Sequence, residues 1–147
     1  MICVDASVAV KWILEEERSD LAMALYDAVV HAGQSIVAPP LLPLEVTNIL
    51  RQRMRTNPEV SLTDATEQLD DFLPLPIDYH NPMGLHHQAL VLADALGLPA
   101  TYDAHYLALA EHLGCELWTD DQRLLRNVAT SLPFVRWIGD HPATVAG

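Results

Sequence analysis

The sequence predicts an α/β domain: a three-layer α/β/α sandwich on a central, mostly parallel sheet of four to five strands. Three observations predict it. Short apolar, β-leaning runs recur along the chain, and stretches with helical spacing separate them, giving the order β-α-β-α-α-β-α-α-β-α-β. The 147 residues fit one domain, residues 1–147, with enough chain to bury a sizeable core. Half of the residues are hydrophobic and 19% are charged, a balance that excludes a disordered chain.

Ile2-Cys3-Val4 is the first strand and ends at Asp5. Ser7 to Leu14 reads as a short helix. Residues 19–32 form a clearer one, capped by Ser19, with Leu21, Ala24, Leu25, Ala28 and Val29 at helical spacing and Gly33 as its stop. Ser35 to Ala38 is a second strand. Pro39, Pro40 and Pro43 cluster at the start of the next helix, where proline is tolerated, and that helix runs to about Arg55 before Asn57-Pro58. Ser61 or Thr63 opens a helix through Phe72. Leu75-Pro76-Ile77 reads as a short edge strand because of its prolines. Helices follow over Pro82 to Leu96 and Asp103 to Leu113, closed by Gly97 and Gly114. Cys115 to Trp118 is a strand, a short helix runs to about Asn127, and Phe134 to Trp137 is the last strand.

Charge narrows the function classes. Twenty Asp and Glu face eight Lys and Arg, a net charge of −12. Broad phosphate-led binding of nucleic acid needs clustered Lys and Arg, and a polybasic membrane face needs the same. No apolar run is long enough for a membrane helix, and the N-terminus has no secretory pattern, so no membrane association and a cytoplasmic location are expected. Cys3 and Cys115 sit in apolar runs and read as reduced core thiols; two cysteines are too few for a cysteine metal site.

In parallel sheets, sites gather beyond the carboxyl ends of the strands. Asp5 follows the first strand directly, and Asp120 and Asp121 follow the strand at 115–118. If those strands are parallel neighbours, the acids meet at one edge. Each aspartate also suits a plain helix cap. Glu45 lies among Leu41, Leu42, Leu44, Val46 and Ile49, where it either faces outward or needs a partner. Asp103 opens its helix, and an N-cap is its bland role. Carboxylates gathered at one edge would repel one another, and a divalent cation removes that repulsion. An all-oxygen set suits Mg²⁺ or Mn²⁺.

Four segments carry a family resemblance: Ile2-Cys3-Val4-Asp5-Ala6-Ser7; Leu44-Glu45-Val46-Thr47-Asn48-Ile49-Leu50; Tyr102-Asp103-Ala104-His105-Tyr106-Leu107-Ala108-Leu109-Ala110; and Leu117-Trp118-Thr119-Asp120-Asp121-Gln122-Arg123-Leu124. In this order the chain resembles the PIN-domain family, and within it the VapC-type toxins of toxin–antitoxin pairs. The resemblance implies a PIN-like fold and a catalytic, metal-binding quartet of Asp5, Glu45, Asp103 and Asp121. It implies one or two Mg²⁺ or Mn²⁺ ions, with Ser7 and Thr119 as supporting hydroxyls. Asp120 is an outer ligand or simply solvated. The implied chemistry is cleavage of single-stranded RNA by metal-activated water, in a homodimer silenced by a cognate antitoxin protein. The rival is a catalytically silent PIN-like module that binds RNA or protein.

Lys11, Arg123 and Arg126, on the short helices after Asp5 and Asp121, are the candidate RNA contacts. Arg51, Arg53 and Arg55 read as a solvated helix end favoured by the helix dipole. Adjacent His86 and His87 face about 100° apart on a helix and make a poor chelating pair. Trp12, Trp118 and Trp137 offer stacking surfaces, with Trp118 better read as core. A haloacid-dehalogenase-type phosphatase wants a second aspartate where Ser7 stands, and a response-regulator receiver wants a lysine that the C-terminal third lacks.

Overall fold

The computed structural model describes residues 1–128 and 130–143. Five strands form one sheet: β1 (Ile2–Val4), β2 (Ile36–Ala38), β3 (Ile77–Tyr79), β4 (Glu116–Thr119) and β5 (Val135–Trp137). Their order is β3-β2-β1-β4-β5 and every pairing is parallel. Seven helices complete an α/β/α sandwich among the described residues: α1 (Ala6–Ala9), α2 (Ser19–His31), α3 (Leu41–Thr56), α4 (Leu62–Phe72), α5 (Leu85–Leu96), α6 (Tyr102–Leu113) and α7 (Gln122–Val128).

The inner strands are apolar without alternation, because helices cover both faces of the sheet. β1 and β2 are buried at every position, and β4 is buried over Leu117, Trp118 and Thr119. α6 is apolar nearly all round and buries Ala104, Tyr106, Leu107, Ala108, Leu109 and Ala110. It packs against α5, β1 and β4, which buries Tyr106 and leaves Asp103 half-buried in its first turn.

Chain direction decides where a site can form. From β1 the chain builds β2 and β3 to one side, then returns to build β4 and β5 on the other. The order therefore reverses between β1 and β4, and the crevice opens beyond their carboxyl ends. Val4 registers with Trp118, so Asp5 and the Thr119–Asp121 loop emerge side by side.

Several boundaries differ from the expectations above. Ser7 to Leu14 is not one helix: α1 gives way to a 3-10 turn, Val10–Trp12. Ser19 does not cap α2. The capping position is Arg18, in a left-handed conformation at φ 64°, and the Ser19 hydroxyl donates to the Leu14 carbonyl while accepting from the Glu16 N–H. β3 begins at Ile77, after the prolines. α5 begins at Leu85, behind Gly84 at φ +83°, and not at Pro82. α6 begins at Tyr102 with Thr101 at the capping position, so Asp103 is not a cap and its carboxylate is left for other use.

Candidate active site

Asp5 is set by the turn from β1 into α1. Its side chain caps that short helix: Oδ1 accepts from the Ser7 N–H at 3.1 Å, the Val8 N–H at 3.3 Å and the Ser7 hydroxyl at 2.5 Å. Oδ2 accepts from the Thr119 hydroxyl at 2.5 Å. Two relays thus join the ends of β1 and β4. The Asp120 N–H donates to Ser7 Oγ at 2.8 Å, and the Asp121 N–H donates to Thr119 Oγ1 at 3.0 Å. The bonds that cap α1 also fix the direction of the Asp5 carboxylate.

The remaining acids come from three further elements. Asp103 is half-buried in the first turn of α6. Asp121 caps α7, its Oδ1 accepting from the Arg123 N–H at 2.9 Å and the Leu124 N–H at 3.1 Å. These two line one cavity of about 130 Å³ together with Tyr102, Arg123 and Asn127. Glu45, on α3, is half-buried and accepts from the Tyr106 phenol. It lines a neighbouring pocket with Asn48 and Tyr102.

The electrostatics bind them as one group. Asp5 is 4% exposed, and burial lifts its carboxyl from an ordinary 3.8 to about 7; the Ser7 and Thr119 bonds hold it down in part, and the charge of Asp103 lifts it further. Burial also raises Asp103, with the charge of Asp121 adding to it. Burial raises Glu45; the Tyr106 bond opposes that, and Asp103 adds to it. Among the described residues, no salt bridge reaches any of the four.

That donor set fits a hard divalent cation: all its donor atoms are oxygen, Asp5, Glu45 and Asp103 are each raised with a neighbouring acid contributing, and no salt bridge among the described residues offsets them. Among the described residues, no three His, Cys, Asp or Glu side chains are grouped closely enough to hold a metal ion as they stand. The four acids are electrostatic neighbours and not a cage. Such an arrangement leaves room for a divalent cation that keeps several waters and takes one or two carboxylates.

A family model described as PIN domain matches residues 2–130. The chain belongs to the PIN domain family. It is 32% identical over 128 residues to Ribonuclease VapC3 of Pyrobaculum aerophilum, spanning 84% of this chain and 91% of that one. It is 29% identical over 124 residues to VapC ribonuclease Mb0985 of Mycobacterium bovis, spanning 84% and 88%. These relatives place it in the VapC branch. The crystal structure of PAE2754 from Pyrobaculum aerophilum shares the fold, with a TM-score of 0.68 at 22% identity over 94% of this chain and 89% of that one.

Two expectations about this PIN domain need correction. Lys11 does not reach outward to phosphate: it is 7% exposed, with its ammonium 3.1 Å from Asp120 Oδ2 and 3.5 Å from Glu16 Oε1. Asp120 is neither solvated nor turned to the other acids. Its side chain is 7% exposed and engaged by Lys11, Arg18 and Trp137. Arg123 and Arg126 are exposed, and Arg123 borders the cavity of Asp103 and Asp121.

Sequence reasoning also passed over three residues. Tyr106 follows Asp103 by three positions, so the shared helix face was a usable signal. Arg18 and Trp137 lie 102 and 17 residues from Asp120, and no local spacing announces either contact. Trp118 is core, as its strand position suggests. His105, near Asp103 in sequence, has one ring nitrogen 2.6 Å from the Thr101 carbonyl and the other 2.8 Å from His86.

Proposed function

We propose that this PIN domain is a metal-dependent endoribonuclease that cleaves single-stranded RNA and serves as the toxin of a toxin–antitoxin pair. One observation carries the reading: at the switch point between β1 and β4, a buried aspartate raised to about 7 is coupled to a second acid, itself coupled to a third, and among the described residues no salt bridge reaches any of them. The names of the VapC ribonuclease relatives support the substrate class.

Asp5, Glu45, Asp103 and Asp121 are the residues that would hold one or two Mg²⁺ or Mn²⁺ ions. When bound, such an ion supplies a Lewis acid that activates water and offsets charge on the leaving oxygen. The chain's own part is placement. Ser7 and Thr119 hold both oxygens of Asp5 in fixed directions. Tyr106 holds Glu45. Arg123, which borders the cavity of Asp103 and Asp121, and the exposed Arg126 further along α7 are the contacts for RNA phosphates.

Partners follow from the same reading. A basic segment of a cognate antitoxin would meet an acidic crevice of the right sign. Exposed Leu44 on α3 and Leu90 and Val91 on α5 are apolar surface that a homodimer could cover. We take residues 1–147 as one domain. A cytoplasmic location accords with two free cysteines, and no helix among the described residues is long and apolar enough to cross a membrane.

The test is cleavage of a labelled single-stranded RNA by the purified protein with Mn²⁺, and with chelator in its place. Cleavage should need the metal, and Asp5→Asn and Asp103→Asn should each abolish it while retaining the parent's circular dichroism. A folded parent that cuts nothing with Mn²⁺ leaves the silent binding module standing. Cleavage by Asp5→Asn at the parent's rate means the site lies elsewhere.

A further inference from the structure

Asp120 sits between two proposed site residues in sequence, yet its side chain leads away from the acids. Arg18 grips it with two parallel bonds, Nε to Oδ1 at 2.9 Å and Nη2 to Oδ2 at 3.0 Å. The Lys11 ammonium adds a third contact at 3.1 Å, and the Trp137 indole N–H donates to Oδ1 at 2.9 Å. These partners come from the 3-10 turn after α1, the residue before α2, and the end of β5. One buried carboxylate therefore ties three segments together.

The fold accepts strain and crowding to build this cluster. Arg18 is the one non-glycine residue at positive φ among the described residues, a conformation that persists where the surroundings hold it. Its guanidinium also lies 5.7 Å from the centroid of the Trp137 ring. A Cβ at Gly139 would run into that ring, so glycine there leaves the indole its place.

The main chain of the same loop carries both relays to Asp5, through the Asp120 N–H on Ser7 and the Asp121 N–H on Thr119. We propose that Asp120 is a positioning residue: clamped by Arg18, Lys11 and Trp137, it fixes the loop from β4 to α7 so that Asp121 and the two hydroxyls of the Asp5 relays stand ready for the metal. This rests on the metal-site reading above. Residues that orient metal ligands typically change metal affinity by about 10- to 100-fold when altered.

Arg18→Gln separates positioning from simple charge. Removing a cation near a cation site should tighten metal binding if charge alone matters; loosening the clamp should weaken it. The measurement is Mn²⁺ affinity of the full chain without RNA, read from the free-Mn²⁺ electron paramagnetic resonance signal, with circular dichroism as a check on folding. We expect Arg18→Gln to weaken Mn²⁺ binding by about tenfold or more. Trp137→Phe, which keeps an aromatic ring and removes the donor, should weaken it in the same direction by less. If Arg18→Gln fails to fold, Trp137→Phe decides alone. Parent-like or tighter binding in the folded variants overturns the positioning role and leaves the metal site standing. A parent that binds no Mn²⁺ overturns both.

Discussion

Tyr106 donates its phenol to Glu45 Oε1 at 2.5 Å, joining α6 to α3 across 61 positions of sequence. The tyrosine is 1% exposed, and burial together with the neighbouring Glu45 carboxylate pushes its own ionisation far upward, so it stays a donor. Glu45 is thereby explained. A carboxylate set among leucines is costly unless paired, and its partner comes from the helix that also carries Asp103.

Tyr106→Phe tests that pairing. The ring remains and the donor goes, so the cost should be about 1.5–3 kcal/mol of unfolding free energy, the range for a hydrogen bond to a charged group. Glu45 should also titrate higher, because the bond that opposes its burial is gone. Urea unfolding at neutral pH measures the first effect and an NMR titration of the Glu45 side chain the second. Unchanged stability and titration would mean the bond contributes nothing.

The Asp5 carboxyl makes the metal-free protein pH-dependent in a stated direction. Its pKa is about 7 folded against an ordinary 3.8, so between these values the folded state binds the extra proton. Stability therefore falls as pH rises from about 4 to about 7, by an amount on the order of a few kcal/mol. Asp120, shifted the other way, acts below the ordinary carboxylate range and leaves this window alone. In chelator, the parent should lose more stability than Asp5→Asn between pH 4.5 and 7.5. Equal losses would place Asp5 at an ordinary pKa.

What the sequence made legible was whatever local chemistry encodes. The strands showed themselves as apolar runs, and Gly97 and Gly114 do end α5 and α6, each at φ +65°. The acids at the ends of β1 and β4 were readable because strand adjacency is a topological rule. Arg18 shows the opposite case. It follows three glutamates, and only the folded chain reveals that its backbone turns left-handed and its side chain meets Asp120. Lys11 misleads for the same reason: its place on the short helix after Asp5 suggests a phosphate contact, while its burial is a tertiary fact. Asp103 read as a cap until the helix began one residue earlier.

Mutual repulsion among the acids should make a divalent ion stabilising. Millimolar Mn²⁺ or Mg²⁺ binding the folded state alone should raise the melting temperature, and a concentration 100 times the dissociation constant adds about 2.7 kcal/mol. Asp103→Asn should shift less, since Asp103 raises both Asp5 and Glu45. Differential scanning fluorimetry with and without metal measures both. A parent with no shift, together with no cleavage, would argue for the silent binding module.

RNA binding should be weak and local despite the net charge of −12. Acidity opposes a broad hold on the backbone, and two bound divalent ions would bring the charge only to about −8. With Lys11 committed to Asp120, Arg123 beside Asp121 and Arg126 further along α7 remain as exposed cations. Each phosphate contact to a single strand contributes about −0.7 to the slope of log affinity against log salt. A cleavage-dead Asp5→Asn protein with Mn²⁺ should therefore give a shallow slope, near −1.4 for two contacts. Adding Arg123→Ala should reduce its magnitude by about 0.7 and weaken binding similarly across RNA sequences. Lys11→Met should leave the slope unchanged, because a cation buried against Asp120 releases no counterion from RNA. A slope that drops with Lys11→Met would put that lysine on the phosphates after all.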